Sequence, residues 1–204
     1  MTTPSTPTVA VLAGINGAGK TSSAFPILTG QLRIPVFVNA DAIARGLNAF
    51  DVESEAVRAG RIMLEYLDEL ATSRRSFAFE TTLAARTYAP RLVALRAAGY
   101  VAHLFYFWLK SPEVAIQRVA ERVRSGGHHI PDETIRRRYS RSVRNFLDLY
   151  RPVVTTWTVY DNTDTAPRVL ATHNGYYETV VDPDRWGLFQ RSANDDRNPD
   201  GAGR

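Results

Sequence analysis

Eight residues near the start of the chain carry its strongest chemical signal. Gly14-Ile15-Asn16-Gly17-Ala18-Gly19-Lys20-Thr21 matches G-x-x-x-x-G-K-[ST] in full. Glycines at these places let backbone N–H groups turn inward around phosphate oxygens. The helix that follows adds partial positive charge. Lys20 is the right residue to reach terminal phosphates, and the Thr21 hydroxyl is a hard oxygen ligand for Mg²⁺. Gly14, Asn16, Gly17, Ala18, Gly19, Lys20, Thr21 and Ser22 are therefore the candidate ATP contacts, with Thr21 the metal ligand. The competing reading is a fortuitous Gly-rich turn. A chance match somewhere in a chain of this composition is on the order of one in a thousand. Lys20 is also one of only two lysines, the other being Lys110.

Phosphate binding does not by itself choose a reaction. The guanine-reading N-K-x-D motif is absent, and no apolar strand ends in a D-E pair as a motor ATPase needs. A chain of 204 residues with a phosphate loop at its start has the size of a small-molecule kinase. Three further features stand where an acceptor would lie. Asp41 follows an apolar run, and at the carboxyl end of a strand it can take a proton from an attacking hydroxyl. The plainer reading is that Asp41 caps a helix over 42–47. Glu80 ends the run Phe77-Ala78-Phe79, with Thr82 beside it. A carboxylate there can hold substrate hydroxyls or join the Mg²⁺ shell; the plainer reading is a solvated strand end.

Arginine is the third feature. Between positions 118 and 151 there are nine Arg against four acidic residues. Within this stretch Ser125-Gly126-Gly127-His128-His129-Ile130-Pro131 separates two helices, and its glycines and proline suit a hinged lid over about 118–145. Arg137, Arg141 and Arg144 share one helical face. Arginines brought onto a transferring phosphoryl group stabilise its charge; on an exposed helix they are only solvated. Adjacent His128 and His129 have poor spacing for one metal and read as lid residues touching substrate. The segment Tyr160-Asp161-Asn162-Thr163 can lie over a nucleotide base or form a plain Asx turn.

The elements that must position these residues alternate strand and helix. Apolar, β-branched runs fall at 8–13, 36–38, 77–79, 101–109 and 153–160. Helical patterns fall at 18–32, strained at Pro26, and at 53–73, 88–98, 112–124 and 132–150. In the helix at 53–73, Val57, Ile62, Leu64, Leu67 and Leu70 form the expected apolar face, and Asp132 is the expected N-cap of the last helix. Continuous apolar strands between helices imply an α/β fold, a five-stranded parallel sheet covered on both faces. Asn174-Gly175 between two β-prone runs predicts a small antiparallel C-terminal β-hairpin, appended to the sheet, over about 168–181. One domain is expected over 8–189, with flexible ends at 1–7 and 190–204.

Composition narrows the class. Hydrophobic residues make up 44% and charged residues 23%, as in a soluble globular protein. With no cysteine there is no disulfide, thiolate metal site or cysteine nucleophile. The longest apolar run, 100–109, is far short of the ~20 residues of a membrane span. Residues 1–8 lack the features of a signal peptide, so a cytoplasmic location is the expectation. A net charge of +4 suits an anionic ligand but is modest for a nucleic-acid binder.

Taken together, GINGAGKT, NAD, FAFETTL, RVRSGGHHIPDETIRRRYSRS and YDNT resemble the zeta-toxin family, in its chromosomal branch of small P-loop kinases, over about residues 8–190. The resemblance implies an adenylate-kinase-like P-loop NTPase fold. It implies a kinase that uses ATP and Mg²⁺ to phosphorylate the 3′-hydroxyl of the amino sugar in UDP-N-acetylglucosamine, and an antitoxin protein partner. By the same resemblance Lys20 and Thr21 form the ATP–Mg site and Asp41 is the catalytic base. Glu80 and Thr82 are substrate ligands, and Arg122 is a lid arginine on the phosphates. The sequence departs from the family's pattern near the acceptor. The second lid arginine falls near His128, position 81 is Thr rather than Gly, and no Arg follows Leu83 directly. Two alternatives stay open: a kinase of another acceptor, such as a dinucleotide or a nucleic-acid end, and a nucleotide-dependent binding module with weak ATPase activity.

Overall fold

The computed structural model describes residues 6–127 and 129–194. Five strands are parallel: β1 (Thr8–Ala13), β2 (Phe37–Val38), β3 (Phe77–Thr81), β4 (Val101–Trp108) and β5 (Thr156–Asp161). Crossovers carry α1 (Lys20–Phe25), α2 (Ala40–Leu47), α3 (Ala56–Thr72), α4 (Tyr88–Ala97), α5 (Pro112–Arg124) and α6 (Asp132–Asn145). The expected five-stranded sheet is a seven-stranded one. The hairpin strands β6 (Arg168–His173) and β7 (Glu178–Val180) continue it antiparallel, giving the order β2-β3-β1-β4-β5-β6-β7. The physical reason is that β5 would otherwise leave a row of unpaired backbone groups at its edge. Helix α7 (Pro183–Arg191) then lays Trp186 and Phe189 against Trp157 of β5 and Phe146.

Register determines what reaches the site. Central β1 is buried along almost its whole length, as a strand covered on both faces must be. It pairs Leu12 with Glu80 and Ala13 with Thr81 on one side, and Ala13 with Tyr106 on the other. The chain after Ala13 therefore emerges between the ends of β3 and β4, at the carboxyl edge of the sheet.

Several local expectations are corrected. Pro26 ends α1 and opens a π-helical turn, Pro26–Gln31, because it cannot donate to the preceding helix. The buried face of α3 is Ala59, Met63, Leu67 and Leu70, while Val57 is exposed. The residue before α6 is Pro131; Asp132 lies inside the first turn and caps nothing. α6 stops at Asn145, and the chain continues as a π-turn, Phe146–Tyr150. The expectation of a flexible tail fails for 190–194. Ser192 and Ala193 are buried in a 3-10 turn, Ser192–Asn194. At the other end Pro7 already accepts a hydrogen bond from the Val101 amide, 2.9 Å. The remainder of both predicted flexible ends, 1–5 and 195–204, lies outside the described residues. No helix among the described residues is long and apolar enough to cross a membrane.

Candidate active site

The motif residues form a closed loop between β1 and α1. Gly14 has φ 135°, and a Cβ there would stand 2.3 Å from the Phe107 carbonyl oxygen of β4. Gly19 has φ 78°, and its Cβ would stand 2.5 Å from Asn162 Nδ2. At both positions only glycine fits. Gly17 is also left-handed, and Ala18 is buried. The Lys20 side chain is 6% exposed and curls back so that Nζ donates to the Ile15 carbonyl at 2.9 Å. Thr21 and Ser22 are exposed at the start of α1.

Glu80 stands against this loop rather than out in the crevice. The Thr21 hydroxyl donates to Oε2 at 2.7 Å, and Lys20 Nζ is 3.4 Å from Oε1. Asn39 Nδ2 donates to the same Oε2 at 3.0 Å. With its side chain 12% exposed, Glu80 is not a solvated strand end. The Leu12–Glu80 register of β1 and β3 explains the meeting. A hydroxyl and a carboxylate held together are hard oxygen donors that fit Mg²⁺. The carboxylate that the resemblance gives to the substrate is thus held against Lys20 and Thr21 of the loop.

The Asp41 alternatives separate cleanly. The N-cap of α2 is Asn39, whose Oδ1 accepts from the Asp41 amide at 2.8 Å and the Ala42 amide at 3.2 Å. Asp41 sits in the first helical turn, exposed, and its carboxylate is not spent on capping. Asn39 thereby ties the helix start that carries Asp41 to Glu80. Thr82 is held by its backbone: Ser142 Oγ donates to its carbonyl at 2.5 Å.

Arg138 reaches the loop from α6, although no motif in the sequence singles it out. Its Nη1 donates to Asn16 Oδ1 at 3.0 Å. Burial and neighbouring Arg137 push its pKa down, and Asp41 pulls it back up, so the Asp41 carboxylate lies close enough to be felt. A usable signal was present: 138 falls on the buried stripe of α6 between Ile135, Tyr139 and Ser142, where a solvated arginine has no place. Arg137 and Arg141 are exposed, and Arg144 donates to the Ala193 carbonyl at 2.8 Å. Arg122 is exposed in the last turn of α5, where its carbonyl accepts from the Gly127 amide at 2.9 Å. His128 lies outside the described residues.

The segment after β5 packs on the loop from the other side. Asn162 Nδ2 donates to the Ala18 carbonyl at 2.7 Å, and Arg118 donates to the Thr163 carbonyl at 2.9 Å. Asp161, 2% exposed, pairs with Arg185 of α7 and accepts from the Thr163 hydroxyl. This segment is more than a plain Asx turn, because its side chains hold the phosphate loop and the C-terminal helix in one network.

A family model described as Zeta toxin matches residues 1–169. The chain belongs to the Zeta toxin family. An uncharacterised protein of Haemophilus influenzae is 28% identical over 127 residues, covering 62% of this chain and 88% of that protein. Among solved structures, the AvrRxo1-ORF1:-ORF2 complex superposes with a TM-score of 0.74 at 14% identity, over 93% of this chain and 65% of that one. The same complex with ATP gives a TM-score of 0.72 at 15% identity, over 90% and 63%. This chain therefore spans just under two thirds of the AvrRxo1 chain it matches. The PezAT chromosomal toxin–antitoxin system of Streptococcus pneumoniae gives a TM-score of 0.62 at 15% identity, over 94% of this chain and 88% of that one. At these identities the structures establish the α/β fold alone.

Proposed function

We propose that this zeta-toxin family member is an ATP- and Mg²⁺-dependent kinase of a small hydroxyl-bearing metabolite, with a sugar nucleotide such as UDP-N-acetylglucosamine as the first candidate acceptor. The observation that carries this reading is the convergence of Lys20, Thr21, Glu80 and Arg138 on one phosphate loop, with the first turn of α2, which carries Asp41, tied to it through Asn39 and Glu80.

In this reading the loop amides and Lys20 hold the ATP phosphates, with Lys20 leaving Glu80 and the Ile15 carbonyl for them. Thr21 and Glu80 hold Mg²⁺, which when bound neutralises phosphate charge. The acceptor hydroxyl oxygen forms a bond to the γ-phosphorus as the bond to the β,γ-bridging oxygen breaks, releasing ADP. Its proton passes to Asp41. Arg138 faces the charge on the transferring group. Arg122 and His128 remain proposed lid contacts, and Thr82 a proposed acceptor contact. An antitoxin protein is the proposed partner, since the solved PezAT structure is a toxin–antitoxin system.

The test is mass spectrometry of UDP-N-acetylglucosamine incubated with protein, ATP and Mg²⁺, beside an Asp41→Asn variant. The expected result is a product one phosphoryl group heavier, lost in the variant while ATP binding persists. A variant that transfers at the wild-type rate would remove Asp41 as the base. ATP binding without product in the wild type would remove this acceptor.

A further inference from the structure

Asp161 ends β5 with its carboxylate almost fully buried. Its Oδ1 accepts from the Thr163 amide at 2.9 Å and from the Thr163 hydroxyl, and its Oδ2 accepts from Arg185 of α7. Two neutral donors do not neutralise a buried carboxylate; the guanidinium supplies the opposite charge that burial demands. The pair is mutual. The hydrogen bond and charge of Asp161 raise the Arg185 pKa above its ordinary value, with Asp164 and Asp182 adding smaller shares.

The docking of α7 does not depend on this pair. Trp186 stacks on Trp157 and on Phe189, and Phe189 packs edge-on against Tyr106, Trp108 and Phe146. The aromatic cluster holds the helix, and Asp182 fixes its start by accepting from the Arg185 amide at 3.0 Å. Arg185 is thus presented from a firm base to the turn after β5. The Zeta toxin match ends at residue 169, so α7 lies beyond the part of the chain that the family model covers.

Asn162 stands between the two residues of that turn that carry the network. Its amide donates to the Trp108 carbonyl at 2.8 Å, and its Nδ2 donates to the Ala18 carbonyl at 2.7 Å. In a trans peptide the C=O and the following N–H point opposite ways. Holding the Ala18 carbonyl outward therefore turns the Gly19 amide toward the inside of the loop, where phosphate oxygens bind. We propose that Arg185 is a positioning residue for ATP: through Asp161 it fixes the turn that carries Asn162, and Asn162 fixes the Gly19 amide in its phosphate-binding direction. The inference rests on the ATP-binding half of the reading above and adds to it a determinant from the C-terminal helix.

The experiment is calorimetric titration of the full chain with a non-hydrolysable ATP analogue and Mg²⁺, and separately with inorganic tripolyphosphate. Arg185→Met and Asn162→Ala are each expected to weaken binding of the analogue about tenfold, and the double variant little more than either alone, because both act on one peptide unit. Tripolyphosphate is expected to weaken by the same factor, since the loop and not the base is affected. Arg185→Lys keeps a charge opposite Asp161 and is expected to recover most of the affinity. Phe189→Leu is the control for a merely structural role: it loosens the aromatic cluster and lowers Tm, while binding of the analogue stays within about twofold of the wild type. Wild-type affinity in Arg185→Met, independent losses that multiply in the double variant, or an equal loss in Phe189→Leu overturns the proposal. None of these measurements needs phosphoryl transfer. If the variants weaken as stated but the wild type phosphorylates no acceptor, the kinase reading fails and the role of Arg185 stands. A wild type that binds neither ligand removes both.

Discussion

Asn39 is the residue whose replacement reads out most of this architecture at once. Its Oδ1 caps α2 through two backbone amides, and its Nδ2 donates to Glu80. Asn39→Ala removes all three bonds. Loss of an N-cap costs about 1 kcal/mol. Loss of a donor to a largely buried carboxylate costs up to about 3 kcal/mol, but Glu80 keeps Thr21 and Lys20, so about 1 kcal/mol is the fair share. The sum, about 2 kcal/mol, corresponds to a Tm lower by about 4–8 °C in a chain of this size. Because Asp41 rides on the first turn of α2, phosphoryl transfer should fall by about 100-fold, the usual consequence of misplacing a reacting group by an ångström. Asn39→Ser separates the two roles. Serine caps as well as asparagine but is too short to reach Glu80. Its Tm loss should be about half that of the alanine variant, with a comparable loss of activity. Calorimetric unfolding and a coupled ADP-release assay give both numbers. Equal Tm values for the serine and alanine variants would refute the capping assignment, and full activity of the serine variant would refute the tether.

Three further outcomes follow. Arg138→Ala should lower kcat by about 1,000-fold with little change in ATP affinity, as removal of an arginine from a transferring phosphoryl does; transfer assays and nucleotide titration check it. Gly14→Ala should abolish nucleotide binding and lower Tm, since its Cβ would stand 2.3 Å from the Phe107 carbonyl oxygen; thermal unfolding with and without ATP measures both. His103 is desolvated in β4 beside Thr156, and burial holds its pKa below the ordinary 6.5. The unfolded chain takes up that proton first, so stability is unaffected above about pH 6.5 and falls as pH drops from there toward the folded pKa. Tm measured from pH 7.5 to 5.5 should show this slope, and His103→Gln should flatten it.

Much of the fold was legible because its signals are local. The phosphate loop is a contiguous string whose glycine requirements can be read one position at a time, and the structure supplies the reason at Gly14 and Gly19. The alternation of apolar strands and amphipathic helices gave the five parallel strands and their helices. Asp41 and Glu80 stand out in the sequence because strand ends in such a sheet face the crevice. The Asn174-Gly175 signal supports an antiparallel hairpin appended to the sheet; that β6 pairs with β5, so that one sheet runs to seven strands, depends on tertiary packing.

Sequence alone therefore determined the phosphate-loop motif, the fold class and which residues stand at the carboxyl ends of the strands. Tertiary structure decided which of them meet. Glu80 joins Lys20 and Thr21 because β1 and β3, far apart in the chain, pair Leu12 with Glu80. Arg138 contacts the phosphate loop because the packing of α6 turns that side of the helix toward Asn16. Periodicity and turn chemistry act over a few residues and are written in order along the chain. Convergence of side chains from different crossovers depends on register and packing between distant segments, which no local pattern encodes.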